Sequence, residues 1–290
     1  MTILVGGAFC ANAVKNALSV RGPDNKDIAG GRPDLNNHLF LCPDPLGRAY
    51  QVLGAKVRQE EYDAGAAYPT NTKHSVVVAL AGADTWGQTY TYYSRVVIPP
   101  DWITRGANER MIFFQCHEIA GIAGDHQSSY NWHFGNGQIW GKTTLLNADD
   151  YIFHTQNVAA GQEIEIFSRI RWADGLVGDT PSNPYGHVAA ADGIFEIEIG
   201  GVRVYTNNGV TNTWPGTSGG SDPTAPYLQA GVYPYDIADP GTYPWCAGQT
   251  MSMYHVAAIV ATGDETSASL RAYVDAQLAA NNNRRKITVY

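Results

Sequence analysis

From about residue 50 onward, the chain alternates apolar and polar residues in short runs. These runs are rich in Val, Ile, Thr, Tyr, Phe and Trp, and they are separated by Gly, Asn, Asp or Pro. That pattern predicts strands joined by turns. The predicted strands are residues 50–58, 74–81, 89–98, 110–118, 138–146, 151–158, 162–172, 194–200, 202–205, 227–235 and 250–261.

The run at residues 162–172 shows the alternation most clearly, because Ile residues alternate there with Glu and Arg. It predicts a half-buried strand with one wet face. Residues 194–200 and 202–205 meet at Gly200-Gly201, which predicts a tight hairpin.

One helix is predicted near the C-terminus. Thr262 and Glu265 have the spacing of a capping box, and apolar residues then recur at helical spacing to form a core-facing stripe. The stripe comprises Leu270, Tyr273, Val274 and Leu278. The run Asn281-Asn282-Asn283 is expected to end the helix.

Two long segments and the N-terminus break the strand rhythm. Residues 176–192 and 207–226 are rich in Gly, Pro, Ser, Thr and Asn, and loops of that length are often functional. Trp214 in the second either flanks a groove or covers the edge of a sheet. Residues 1–45 carry turn signals without a sustained period, which predicts an irregular N-terminal arm.

Taken together, these elements predict an all-β fold: a two-sheet antiparallel β-sandwich of the jelly-roll type with one late C-terminal helix. We expect two units, the irregular arm at 1–45 and the jelly-roll domain at 46–290. A chain of 290 residues with 31 Gly and 15 Pro fits many turns and a single large β domain.

Charge and hydropathy narrow the classes of partner. The formal net charge of −8 argues against nucleic acid, which needs a basic patch. No stretch is long and apolar enough to predict a membrane span. The first residues lack the basic segment of a signal peptide. That predicts a virion protein or assembly in the cytoplasm, with an extracellular location as the alternative.

Neither a metal site nor a cofactor is predicted. Cys10, Cys42, Cys116 and Cys246 show no zinc-type spacing, and the sequence leaves their disulfide pairing open. Acidic and imidazole residues around positions 118–154 have no recognised ligand spacing. Glu pairs on the predicted strands fit a solvated sheet face better than a glycosidase pair.

The strand at residues 110–118 carries the main candidate chemistry. Gln115 and His117 lie two positions apart, so an extended strand places them on one face. Regular alternation would put Met111 and Phe113 on that same face. An amide beside an imidazole suits a surface that meets a polar ligand, although a hydrogen-bonded His at the end of a core strand is the alternative.

The order of several segments resembles the jelly-roll polysaccharide lyases of the heparin-lyase-I-like and alginate- or glucuronan-lyase-like group. The resemblance covers roughly residues 50 to 260. It is carried by Arg58-Gln59-Glu60, the segment 92–102 that begins Tyr92-Tyr93-Ser94-Arg95, Phe114-Gln115-Cys116-His117, the Asp-Gly to Gly-Gly segment 191–201, and Tyr227-Leu228-Gln229-Ala230-Gly231-Val232-Tyr233.

This resemblance implies β-elimination on a uronate-containing polysaccharide. Gln115 and Arg58 would hold the carboxylate, and His117 and Tyr233 would share the base and acid roles. A tyrosine acts as base only near positive charge, which Arg58 or Arg95 would supply. The expected substrate-binding residues are Arg95, Tyr92, Trp214 and Tyr235.

Two departures from the family pattern leave a second function open. Cys116 stands where an aromatic residue is usual, and Pro234-Tyr235-Asp236 follows Tyr233 where a basic residue is usual. A site without that cation favours binding over catalysis. The alternative is a non-catalytic phage virion protein of the capsid, collar or tail, with a glycan-binding jelly roll. Its N-terminal arm would contact virion proteins or a second copy of the chain.

Overall fold

The computed structural model describes residues 2–5, 20–21, 39–58, 76–79, 87–102, 110–117, 128–135, 137–144, 150–173, 190–210, 212, 227–235 and 250–285. These residues form fifteen strands, a short 3-10 turn at Ala190–Asp192 and one α-helix. The strands are β1 Thr2–Val5, β2 Val20–Arg21, β3 Leu39–Pro43, β4 Gln51–Arg58, β5 Val76–Ala79, β6 Thr89–Val97, β7 Arg110–His117, β8 Ser128–Gly135, β9 Gln138–Thr144, β10 Asp150–Asn157, β11 Glu163–Arg171, β12 Ile194–Ile199, β13 Val202–Thr206, β14 Tyr227–Tyr235 and β15 Thr250–Thr262.

The described strands form two antiparallel sheets, which confirms the predicted sandwich. Sheet A has eight strands in the order β13-β12-β11-β6-β15-β4-β3, with β1 also paired to β15. Sheet B has seven strands in the order β10-β9-β8-β7-β14-β5-β2. The strands that are central in each sheet are distant in sequence, as a jelly roll requires.

The main hydrophobic core lies between the sheets. Sheet A contributes Ile164, Ile166 and Ile170 from β11, as the alternating pattern predicted. Sheet B contributes a row of aromatic rings from β8. The hydroxyl of Tyr130 joins the layers, since it accepts a hydrogen bond from Trp132 Nε1 and lies 2.5 Å from Ser168 Oγ of β11.

A second core lies on the other side of sheet A, under the helix α1 (Ser267–Arg285). The predicted stripe of Leu270, Val274 and Leu278 is buried there. Burying each such side chain contributes about 1.5–3 kcal/mol.

The predicted cap of this helix was wrong. Thr262 ends β15, and the cap is Thr266, whose Oγ1 accepts a hydrogen bond from the Ser269 backbone N–H at 3.1 Å. Ser269 Oγ in turn accepts a hydrogen bond from the Thr266 backbone N–H, so the box is reciprocal. The helix also continues past the three Asn residues to Arg285.

The predicted N-terminal arm contains strands of the sandwich. Within residues 1–45, β1 pairs with β15 in sheet A, β2 pairs with β5 in sheet B, and β3 pairs with β4 in sheet A. These described strands join the sheets. Residues 6–19 and 22–38 lie outside the described residues, so the division into an arm and a jelly-roll domain stays a prediction. A short apolar run such as Thr2–Val5 satisfies its backbone groups by pairing with a free stretch of strand, here residues 257–260 of β15.

The hairpin between β12 and β13 confirms the prediction at Gly200-Gly201. Ile199 faces Val202, and the two glycines between them have φ values of 58° and 83°. Positive φ at both positions is the requirement of a type I′ turn, which Gly meets without steric cost. Within the described residues, no helix is long and apolar enough to cross a membrane.

Candidate functional site

A β-bulge in β7 interrupts the alternation between the main core and the outer face of sheet B just before Gln115. Ile112 pairs with His133 of β8 and Phe114 pairs with Trp132, so Phe113 is an extra residue on β7. Phe113 and Phe114 both lie in the core between the sheets, as does Met111. The prediction that Met111 and Phe113 share a face with Gln115 was therefore wrong, because the bulge interrupts the alternation.

Gln115 belongs to a row of polar side chains across four neighbouring strands, which we call the polar row. Cross-strand register aligns Lys142 of β9 with Asn131 of β8, Asn131 with Gln115 of β7, and Gln115 with Gln229 of β14. The sequence neighbours of Gln115, Asn131 and Gln229 lie in the core. These three side chains, and Lys142 in register with Asn131, are therefore on the outer face of sheet B. Each residue in the polar row is between 3% and 7% exposed, which makes it the floor of this face.

Two contacts order the polar row and its neighbour His133. Gln115 Nε2 donates a hydrogen bond to Gln229 Oε1 at 2.5 Å. His133 Nε2 lies 2.6 Å from Asn131 Oδ1, and since that oxygen can only accept, Nε2 carries the proton. Buried amides held in this way present fixed polar groups on one line.

Beside the polar row lies an aromatic pair. The rings of His133 and Trp140 are stacked with centroids 5.0 Å apart and planes 12° apart. Register aligns these two residues with each other and with Ile112. His133 is buried, whereas Trp140 keeps part of its surface exposed. This face therefore combines hydrogen-bonding groups with a ring surface.

The backbone register places two of the predicted catalytic residues close together and sets a third apart. His117 lies two residues after Gln115, opposite Tyr227 of β14, and the pairing from there to Gln115–Gln229 is continuous. Tyr233 pairs instead with Ile112. Ile112 and His117 are five positions apart on β7, which is about 16 Å at the rise of a strand. Tyr227 is thus the tyrosine of β14 in register with His117.

Three other predicted residues have no described side chain. Arg58 ends β4 of sheet A, opposite Thr250, so its backbone is in the other sheet from Gln115. Tyr235 ends β14 opposite Arg110. Trp214 lies outside the described residues. Their predicted roles stay predictions.

Tyr92 does not lie on the outer face of sheet B. It belongs to β6 of sheet A, points into the main core and is 0% exposed. Its hydroxyl accepts a hydrogen bond from Trp172 Nε1 at 2.9 Å. The predicted substrate contact of Tyr92 is corrected for this reason: a side chain closed between two sheets has no surface to offer a glycan.

Arg95 lies on the helix side of sheet A, and its predicted substrate contact is likewise corrected. Its guanidinium donates to Glu163 of β11 at 2.8 Å and to Asp275 of α1 at 2.5 Å. Sheet A itself separates it from sheet B, so Arg95 does not supply the positive charge expected near a catalytic tyrosine. Among the residues whose side chains the structure describes, Lys142 is the cation on the outer face of sheet B.

Behind β14, His255 of β15 supports the strand that carries Gln229. His255 is fully buried between the sheets, and its Nε2 lies 3.2 Å from the Gly231 carbonyl oxygen. Burial lowers the pKa of this imidazole from about 6.5 to about 4. It is therefore neutral at ordinary pH and donates its Nε2–H to the carbonyl.

Four residues of this face were missed by sequence reasoning. Asn131 and His133 lie on β8, which was not predicted as a strand, although residues 128–134 alternate Ser, Asn and His with Tyr, Trp and Phe. Lys142 and Gln229 lie on predicted strands, but alternation alone does not say which face of which sheet a residue occupies. The unused signal was the period of two in β8.

The described residues contain no group of three or more His, Cys, Asp or Glu side chains that could hold a metal ion. Neither Cys42 nor Cys116 forms a disulfide bond in the described part of the chain. Cys10 and Cys246 lie outside it.

The chain resembles known proteins in structure and not in sequence. No family model matches the chain, and no curated protein matches it by sequence. Among solved structures, an endo-β-1,4-glucuronan lyase from the fungus Trichoderma reesei superposes with a TM-score of 0.55 at 16% identity, covering 78% of this chain and 87% of that one. The fold is that of the jelly-roll polysaccharide lyases.

Two further structures of this fold support the assignment. A variant of alginate lyase A1-II′ superposes with a TM-score of 0.53 at 12% identity, covering 90% of this chain and 99% of that one. Alginate lyase A1-II′, a member of polysaccharide lyase family 7, gives 0.51 at 12% identity, with 87% and 99% covered. At such identities the likeness concerns the fold alone, since one fold hosts many functions.

Proposed function

We propose that this chain is a polysaccharide lyase-like protein that binds a uronate-containing glycan on the outer face of sheet B and cleaves it by β-elimination. The observation that carries the proposal is the outward-facing Gln115, bonded to Gln229, two residues from His117 on a central strand. The similar structures, a glucuronan lyase and alginate lyases, add that this fold is used for uronate polymers.

The first requirement of the reaction is to make the proton next to the uronate carboxylate acidic. Hydrogen-bond donors and positive charge at the carboxylate do this, because they stabilise the negative charge that develops as the proton leaves. Gln115 supplies an amide donor that can turn from Gln229 to a bound carboxylate. The buried setting of the polar row strengthens such contacts, since little water competes there.

The second requirement is a base and an acid. The base removes the proton from the carbon beside the carboxylate, and the electron pair of the broken C–H bond forms a carbon–carbon double bond. The bond from the adjacent ring carbon to the glycosidic oxygen breaks, and that oxygen takes a proton from the acid. His117 and a tyrosine of β14 fill these roles in the proposal. The register favours Tyr227, opposite His117, over the predicted Tyr233.

The test is cleavage of a panel of uronate polymers, followed by the ultraviolet absorbance of the new double bond. Alginate, glucuronan and heparin-like polymers cover the substrate classes, with a neutral glucan as control. Activity of the wild type that falls by about 100-fold or more in Gln115→Ala and His117→Ala would support the proposal. No absorbance on any uronate, with folded protein confirmed by circular dichroism, would overturn it.

The virion function predicted from the sequence has no observation in its favour among the described residues. Its main motive was an irregular attachment arm, and the described strands of residues 1–45 pair within the two sheets. The solved lyase structures do not point to a virion protein either.

A further inference from the structure

We propose that Lys142 and Trp140 form a separate uronate-binding subsite, which takes the carboxylate of a sugar residue other than the one that is cleaved. The inference rests on the proposed function, and it names how the glycan is held. It also addresses the cation that the sequence lacks after Tyr233, by placing a positive charge elsewhere on the same face.

The position of Lys142 sets the geometry of this subsite. Lys142 and Gln115 occupy the same row, separated by Asn131 on the strand between them. Two strand spacings amount to about 10 Å, roughly the length of two sugar residues in an extended glycan. A chain that lies along the polar row with one carboxylate at Gln115 therefore brings a later carboxylate near Lys142.

The chemistry of the neighbouring residues fits a sugar acid. Trp140 precedes Lys142 by two residues on β9, so both lie on the outer face, and one side of its ring is stacked on His133. Aromatic rings of this kind offer an apolar surface to the C–H face of a pyranose. Asn131 between Lys142 and Gln115 supplies an amide for sugar hydroxyls.

The depth of Lys142 distinguishes it from an ordinary surface lysine. It is 7% exposed, whereas lysine is almost never fully buried in proteins. Ile152 of β10, which is in register with Lys142 on the edge strand, is 51% exposed. The row thus passes from an exposed apolar edge to a largely buried lysine and then to amides, which gives a glycan a charged anchor near one end of the row.

The experiment compares Lys142→Met with wild type on uronate oligosaccharides of increasing length. The matched control is Lys56→Met, which removes the same charge from sheet A, where Lys56 Nζ lies 5.0 Å from the centre of the Phe40 ring. We expect Lys142→Met to raise KM about tenfold for oligosaccharides long enough to span both positions, with the effect confined to KM. Lys56→Met should leave KM as in wild type.

Each outcome tests a different one of the two functions, cleavage and subsite binding. A KM that is unaltered in Lys142→Met at every length overturns the subsite but not the lyase function, and so does a loss of kcat that is the same at all lengths. Wild type that cleaves nothing yet binds uronate oligosaccharides in calorimetry, with affinity lost in Lys142→Met only, overturns the lyase function and supports the subsite. Absence of both binding and cleavage overturns both. If Lys142→Met fails to fold, Lys142→Gln replaces it, and Lys142→Arg should restore binding.

Discussion

His255 and Gly231 join the two sheets at the centre of the sandwich, because the buried imidazole of one donates to the backbone carbonyl of the other at 3.2 Å. His255 belongs to β15 of sheet A, and Gly231 belongs to β14, the strand that also carries Gln229. The contact therefore ties a central strand of the candidate site to the opposite sheet.

This contact makes stability depend on pH in a defined window. Burial lowers the pKa of His255 to about 4 in the folded chain, against about 6.5 when unfolded, so the unfolded state binds more protons as pH falls. The free energy of unfolding therefore has its full value with respect to His255 above about pH 6.5. It falls by about 3 kcal/mol as the pH is lowered towards 4. Urea unfolding across this range measures it.

His255→Gln provides the comparison, since Gln donates a hydrogen bond but does not titrate. The slope of unfolding free energy against pH should be smaller in this variant than in wild type. An equal slope in His255→Gln and wild type would rule out His255 as the source.

Gly141 of β9 is expected to tolerate no side chain. An added Cβ would lie 2.3 Å from Cζ of Phe153, whose ring packs on Tyr205 and Phe195 at centroid distances of 4.9 and 5.9 Å. Gly141→Ala should lower the free energy of unfolding by about 1–3 kcal/mol, because the ring has to leave a packed position. Chemical denaturation measures this change.

The pair Gly141 and Phe153 can be tested as a double-mutant cycle. If the ring is the obstacle, Gly141→Ala should cost less in a Phe153→Leu background than in wild type. Equal costs in the two backgrounds would show that the strain lies elsewhere in β9.

Arg95 is expected to act in stability and not in substrate binding. Its ion pairs with Glu163 and Asp275 connect sheet A to α1, and Asp275 is largely exposed, so the pairs contribute little each. Arg95→Gln should lower the free energy of unfolding by about 1 kcal/mol or less. It should leave KM and kcat on a uronate substrate as in wild type. A raised KM would restore the predicted substrate contact of Arg95.

Two of the three tyrosines of β14, Tyr227 and Tyr233, are alternative candidates for the catalytic phenol. If register decides, Tyr227→Phe removes the hydroxyl of the residue that pairs with His117 and should lower kcat by about 100-fold or more. Tyr233→Phe should then have the smaller effect, because Tyr233 pairs with Ile112, about 16 Å along β7 from His117. Steady-state kinetics on the preferred uronate polymer measures both. A larger loss in Tyr233→Phe would confirm the role predicted from the sequence and would count against the register argument.

Much of the sandwich could be predicted because alternation is a local property. In residues 162–172, the spacing of Ile164, Ile166 and Ile170 shows which face of the strand is buried. The structure places all three in the core. β8 was missed because its outward residues are Ser, Asn and His, which also occur in turns. Its inward residues, Tyr130, Trp132 and Phe134, show that the period was present.

The composition of the site could not be predicted in full, because it depends on which strands become neighbours. Lys142 and Gln115 are 27 positions apart, and only the order β9-β8-β7 brings them into one row. Tyr92 and Arg95 show a limit of another kind. They are three residues apart on one strand, so alternation alone puts them on opposite faces, and the two cannot both contact one ligand.

The extra residue Phe113 in β7 changes the curvature of the strand without changing which side chains face outward. Without Phe113, the sequence Met111-Ile112-Phe114-Gln115 would alternate regularly along β8, and the amide would still face outward. What the insertion adds is a local bend and a stronger twist of the strand. In evolution, a single-codon deletion could therefore alter the curvature of the ligand-facing surface while every outward side chain kept its identity.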